Sequence, residues 1–166
     1  MLHSGRYLSR TDGVNLGALN AEVAAWKALR AVGIEPAAVN AIPAINGRQH
    51  VRVAITQQRP GQARLVISAL FALARFKHVF VVDDDVDVFS EEQVEWAMPT
   101  RFRADSDIVI ETGFPPFYMD PTNDGGGMMT KAGFDLTVPF GRPDNVENRV
   151  AHAPRFDRPA RFQTVR

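Results

Sequence analysis

Four aspartates crowd into five positions, Asp83, Asp84, Asp85 and Asp87, directly behind the apolar run Val79 to Val82. Carboxylates gathered at the end of a strand can hold a divalent cation through oxygen ligands. A metal held there could present a nucleotide-sugar diphosphate for glycosyl transfer. Aspartate is equally at home accepting backbone amides in turns and at helix starts, so a purely structural role stands beside the catalytic one. A second cluster is of another kind. Thr112 to Met119 reads TGFPPFYM, and its aromatic and proline side chains would either line an apolar pocket or pack their own loop onto the domain. The alternation of elements predicts this loop at the same end of the sheet as the aspartates. His3, His50, His78 and His152 show no metal-ligand spacing and read as surface or helix-end residues. Gly125 to Gly127, followed by Thr130 and Lys131, has the wrong order for a phosphate loop, which needs Gly-Lys-Ser/Thr opening a helix after a strand. It reads as a hinge or lid.

The elements that must position these residues follow from periodicity. Residues 1–20 are polar, carry Gly5, Gly13 and Gly17, and read as a lead-in. Asn20 can cap a helix whose core face is predicted as Leu19, Val23, Trp26 and Leu29, stopped by Gly33 and Pro36. Val39 to Ile42 is a short strand ending in a loop over 43–47. His50 to Thr56 alternates, with Val51, Val53 and Ile55 on one side, as in a half-exposed strand near a sheet edge. Pro60 and Gly61 open a second helix, predicted to run past Leu73 and Phe76 and to end at Lys77 and His78. Val79 to Val82 is continuous enough for a central parallel strand. Ser90 and Gln93 form a capping box for a third helix carrying Val94, Ala97 and Met98, which Pro99 should end or kink. Ile108 to Ile110 reads as another buried strand, and beyond Glu111 the regular pattern fades.

Helices alternating with strands predict an α/β fold, a single layered domain with a mainly parallel sheet flanked by helices and an irregular C-terminal arm. With 166 residues, 45% of them hydrophobic and 23% charged, the chain has the composition of one globular domain. Nineteen basic residues balance nineteen acidic ones, so no nucleic-acid partner is implied. The absence of cysteine excludes disulfides, thiolate metal sites and a cysteine nucleophile. Leu65 to Phe76 is too short to span a bilayer and contains Arg75, and residues 1–20 have no signal-peptide centre. No membrane partner and a cytoplasmic location are expected.

Several segments in order resemble one family: KHVFVVDDDVD (Lys77 to Asp87), VEWA (Val94 to Ala97) with Thr100 and Arg101, DSDIV (Asp105 to Val109), GFPP (Gly113 to Pro116) and TKAGFD (Thr130 to Asp135). Together with Val51 to Thr56 and Gly61 to Ala63, they resemble the C-terminal domain of the UbiD family of prenylated-FMN-dependent decarboxylases over roughly residues 15–143. Domain bounds follow: a lead-in over 1–20, the UbiD-like domain over 21–143 and an extended tail over 144–166. The tail region from Arg142 to Arg166 holds six arginines and three acids, where the family usually ends in an amphipathic helix that grips a neighbouring protomer.

The resemblance implies reversible decarboxylation of aromatic or α,β-unsaturated carboxylic acids on prenylated FMN, supported by a divalent metal and potassium. In the family an N-terminal flavin domain holds these together with a catalytic Glu-Arg-Glu set, and the C-terminal domain closes over the flavin, supplies part of the pocket and builds the dimer. Neither the flavin domain nor that set is found in this sequence, so no catalytic residue is assigned to it. By likeness, Phe114, Pro115 and Pro116 face the small-molecule carboxylic acid, Arg101 and Asp135 lie near the potassium site, and Asp83, Asp84, Asp85 and Asp87 become a structural strand-end motif. The start at Met1, just ahead of the resembling region, points to a separately encoded small subunit; a truncated form of a longer chain is the other reading. The expectation is a subunit that self-associates and completes a larger flavin-binding UbiD-like partner, which holds the cofactors. A non-catalytic assembly or regulatory module is the alternative, and a metal-dependent glycosyltransferase the third.

Overall fold

The computed structural model describes residues 12–42, 49–116, 120, 122 and 127–141. Sequence-based expectations for the loop over 43–47, for Phe117 to Met119, for Gly125 and Gly126 and for the tail beyond Gly141 lie outside the described residues. The elements are α1 (Asp12–Ala31), β1 (Ala38–Ala41), β2 (Gln49–Ile55), α2 (Gln62–Phe71), β3 (Phe76–Asp83), α3 (Glu91–Arg101), β4 (Ile108–Phe114) and β5 (Met129–Leu136). They build one five-stranded sheet in the order β1-β2-β3-β5-β4. The three middle strands, β2, β3 and β5, are parallel, and the edge strands β1 and β4 run antiparallel to their neighbours. The α/β reading with a mainly parallel sheet holds.

One face of the sheet carries the larger core. Val51, Val53, Ile55, Val79 and Val81 meet Ala21, Ala25 and Leu29 of α1 and Val66, Ile67 and Leu70 of α2. On the other face Ala54, Val82 and Leu136 pack with Val86, Val88, Val94 and Ala97 of α3 and the turn before it. That second cover is shorter, and below it His50, Phe80 and Phe134 stack on one another with ring centroids 4.5 Å apart in each pair. No described helix is long and apolar enough to cross a membrane.

Five expectations change. First, α1 begins at Asp12 rather than at Asn20. Its core face is Ala18, Ala21, Ala25 and Leu29, while Leu19 and Val23 point outward. Alanines let the helix lie close to the sheet and to α2, so the buried stripe is the one with the small side chains. Second, α2 stops at Phe71, and Phe76, Lys77 and His78 belong to β3. The backbone amides of Ala72 and Leu73 close the last turn onto the carbonyls of Ser68 and Leu70, as tightened helix ends do. Third, Pro99 does not end α3, which runs on to Arg101. Fourth, β4 is an exposed edge strand, with Ile110 61% exposed. An apolar run alone does not tell an edge from the centre. Fifth, Thr130 and Lys131 are no hinge but part of β5, a strand next to the centre.

Gly133 shows why β5 looks irregular in the sequence. A Cβ added there would come 2.3 Å from Cγ2 of Ile67 on α2, so only glycine lets helix and strand approach this closely.

Candidate functional site

The acidic strand end is closed by hydrogen bonds. Asp83, the last residue of β3, accepts from Gln57 Nε2 at 2.8 Å, from the Val138 amide at 2.7 Å and from Arg101 Nη1 at 3.3 Å. Arg101 also grips Asp85 with both terminal nitrogens, at 2.9 and 2.6 Å, a fork geometry suited to a carboxylate. The Arg101 side chain is 1% exposed. Asp84 accepts from the Thr56 hydroxyl at 2.6 Å. Asp87 accepts from the Phe89 amide at 2.9 Å. The helix start is half a capping box: Ser90 Oγ accepts from the Gln93 amide, but Gln93 Oε1 accepts from the Asp87 amide instead of that of Ser90. Burial pushes the Asp83 carboxyl up, against the amide of Val138, the Gln57 side chain and the Arg101 guanidinium.

Each of the four aspartates is thus engaged by this chain's own donors. Among the described residues no group of three or more His, Cys, Asp or Glu could hold a metal ion. The run therefore does not present the convergent carboxylates that metal-dependent glycosyl transfer needs.

The GFPP segment sits elsewhere. Because β4 is antiparallel to β5, its C-terminal Phe114 pairs with Met129 at the start of β5, whereas Asp83 lies at the far end of β3. The aromatic loop and the aspartates occupy opposite ends of the sheet, not the same end. The antiparallel turn of β4, which the sequence pattern does not reveal, is the reason. Between Glu111 and Phe114 the ladder slips by one residue, with Gly113 at φ +89°, a glycine bulge of the kind that re-aims the next side chain. Phe114 then lies edge-on to Phe71, centroids 6.0 Å apart, beneath the Lys131 ammonium at 4.5 Å from its ring.

Lys131 is fully buried and donates to the Phe71 and Leu73 carbonyls at 2.6 and 2.7 Å, capping the C-terminal end of α2. Burial pushes its ammonium down to about 8. A cavity of about 240 Å³ opens beside this loop, lined by Lys77, Pro116, Asp120, Thr122 and residues 127–130. Phe114 and Pro115 do not line it. Its polar wall is a buried ion pair, Lys77 Nζ to Asp120 at 2.7 Å. Burial alone would raise the Asp120 carboxyl, but Lys77 and the amide and hydroxyl of Thr122 together hold it below the usual range. The cavity can take a small molecule or water. In sequence Lys131 reads as lying beside a hinge and Lys77 as a helix end, so neither the buried lysine nor the Lys77–Asp120 pair is signalled there.

Arg101 and Asp135 each have partners of their own. Arg101 is fixed on the α3 side by Asp83 and Asp85. Asp135 follows Lys131 and Gly133 on the β5 face toward α2, and it accepts from the amide and hydroxyl of Thr137 at 3.0 and 2.6 Å. Burial raises its carboxyl, with Asp107 adding and Arg64 opposing.

Residues 14–136 match the family model described as the 3-octaprenyl-4-hydroxybenzoate carboxy-lyase C-terminal domain. The chain belongs to the UbiD family. An anhydromevalonate phosphate decarboxylase of Aeropyrum pernix is 40% identical over 130 residues, which are 78% of this chain and 30% of that protein. Among solved structures, the UbiD-class enzyme HmfF from Pelotomaculum thermopropionicum, in complex with FMN, matches with a TM-score of 0.73 and 30% identity, covering 78% of this chain and 29% of its own. The closed form of the vanillic acid decarboxylase ShVdcCD from Sedimentibacter hydroxybenzoicus matches with a TM-score of 0.66 and 34% identity, over 80% of this chain and 28% of that one. This UbiD-family chain spans under a third of the length of these relatives.

Proposed function

We propose that this chain is the C-terminal-domain part of a split UbiD-like decarboxylase or carboxylase acting on aromatic or α,β-unsaturated carboxylic acids. A larger chain would hold prenylated FMN, the divalent metal and potassium, and would carry the catalytic residues. The observation that carries this reading is the match itself: a C-terminal-domain model covers residues 14–136, and 130 residues of this chain, 40% identical, cover 30% of a decarboxylase. What this chain would add is one wall of the substrate pocket, from Phe114, Pro115 and Pro116, together with exclusion of water from the covered site. That ShVdcCD is solved in open and closed forms supports a covering role that involves movement.

A second reading, a non-catalytic assembly module of the same fold, is favoured by the packing of Phe114. Its ring meets Phe71 and Lys131 rather than the cavity. One experiment separates the two. The chain is co-expressed with its neighbouring genes, and carbon dioxide release is followed over a panel of aromatic and α,β-unsaturated acids, with Phe114→Ala beside the parent. Activity that needs both chains, and a changed ranking of acids in the variant, supports the pocket role. An unchanged ranking leaves the assembly module.

A further inference from the structure

Helix α1 is apolar on two opposite faces. Ala18, Ala21, Ala25 and Leu29 are buried against the sheet and α2. Leu16, Leu19 and Val23 recur at helical spacing on the other side and are 59%, 56% and 44% exposed. Three large apolar side chains of this helix thus face outward, an arrangement that costs solubility unless something covers it. Trp26, half-buried and packed against the core, borders the stripe, with the Arg30 guanidinium 5.1 Å from its ring. Arg30 is tied in turn to Glu35 at 2.6 and 2.8 Å. An apolar strip ending in an aromatic residue and a polar border has the anatomy of a protein interface.

The comparisons say what could cover it. The match is to a C-terminal domain and begins at residue 14, on α1 itself. What precedes a C-terminal domain in a longer protein reaches it at its start, here the N-terminal end of α1. Leu16, Leu19 and Val23 occupy that end of the helix. We propose that the outer stripe of α1, formed by Leu16, Leu19 and Val23, is the surface on which the larger flavin-bearing chain docks. The inference rests on the split-enzyme reading and assigns it an interface, one end of the molecule away from the acidic strand end and made of side chains the core does not use.

The test uses the full chain, affinity-tagged and co-expressed with its neighbouring genes, and compares the parent with a Leu19→Glu/Val23→Glu double variant by native mass spectrometry and flavin absorbance. Circular dichroism and the urea midpoint establish that the variant is folded; a milder Leu16→Gln/Val23→Gln pair replaces it if it is not. Capture of a larger flavin-containing chain by the parent, reduced at least tenfold in the folded variant, is the expected result. Equal capture by both overturns the docking surface while leaving the split enzyme intact. A parent that stays alone, or that forms only homodimers broken by the double variant, overturns the docking surface and the split reading together.

Discussion

Arg101 is the residue on which the strand end depends. Its side chain is 1% exposed and is held by Asp83 and Asp85, themselves 18% and 32% exposed. Removing a buried member of such a set strands the charges it neutralised. Arg101→Met is therefore expected to cost about 2–4 kcal/mol in urea unfolding, moderated because Asp85 keeps some access to water. Arg101→Lys should recover only part, since an ammonium cannot reproduce the planar fork. His50 sets a second expectation. Burial, with Arg52 and His78 adding, lowers its pKa to about 4 from 6.5. Between those values the unfolded chain binds the proton and the folded chain does not, so stability falls as pH drops from about 6.5 to about 4. The full extent is on the order of 3 kcal/mol. In His50→Phe, which keeps a ring against Phe80, unfolding free energies measured from pH 7 to 4.5 should show a flatter slope.

At the scale of elements, the tightest junction is α2 on β5. Gly133 leaves no room for a Cβ beside Ile67, whose Cγ1 and Cδ1 would each lie 3.0 Å away and Cγ2 closer still. Ile67 is fully buried and cannot swing into solvent. Gly133→Ala is expected to destabilise by about 2–3 kcal/mol through overpacking. Adding Ile67→Ala opens the space, so the double variant should lose at least about 1 kcal/mol less than the sum of the singles. Additive losses in denaturant titrations would show that the helix can back away from the strand. The same junction holds Lys131 across the end of α2, so one strand both approaches the helix through a glycine and caps it through a lysine.

For the whole molecule, the split reading makes a thermodynamic prediction of its own. A partner that binds only the folded chain adds stability by mass action, about 2.7 kcal/mol when present at a hundred times its dissociation constant. The chain co-purified with a flavin-bearing partner should therefore unfold at a higher temperature than the chain alone, by several degrees in differential scanning calorimetry. Identical transitions would mean that no partner holds the folded form. The parallel centre of the sheet is already covered by α1 and α2 on one face, so the partner is not needed to complete that core.

Much of the fold was legible in the residues. The continuous run Val79 to Val82, the alternation of Val51, Val53 and Ile55, and the Ser90 start of α3 each specify their element locally, because strand and helix periods and a cap are properties of a few neighbouring side chains. The ordered motifs from Lys77 to Asp135 were enough to point to the UbiD family. Local pattern could not give what depends on distant partners. It read α1 by its largest apolar residues, whereas the space between helix and sheet selects alanines for the core and leaves Leu19 and Val23 outside. It missed β5, because a buried lysine and a glycine make sense only once α2 lies against them. It also set the aromatic loop beside the aspartates, at the wrong end of the sheet. Sequence by itself determined β2, the middle of β3, the start of α3 and the family they belong to; the existence of β5, strand direction, the choice of helix face and the closing of the acidic end around Arg101 were decided by tertiary packing, because each is set by contacts between residues far apart in the chain.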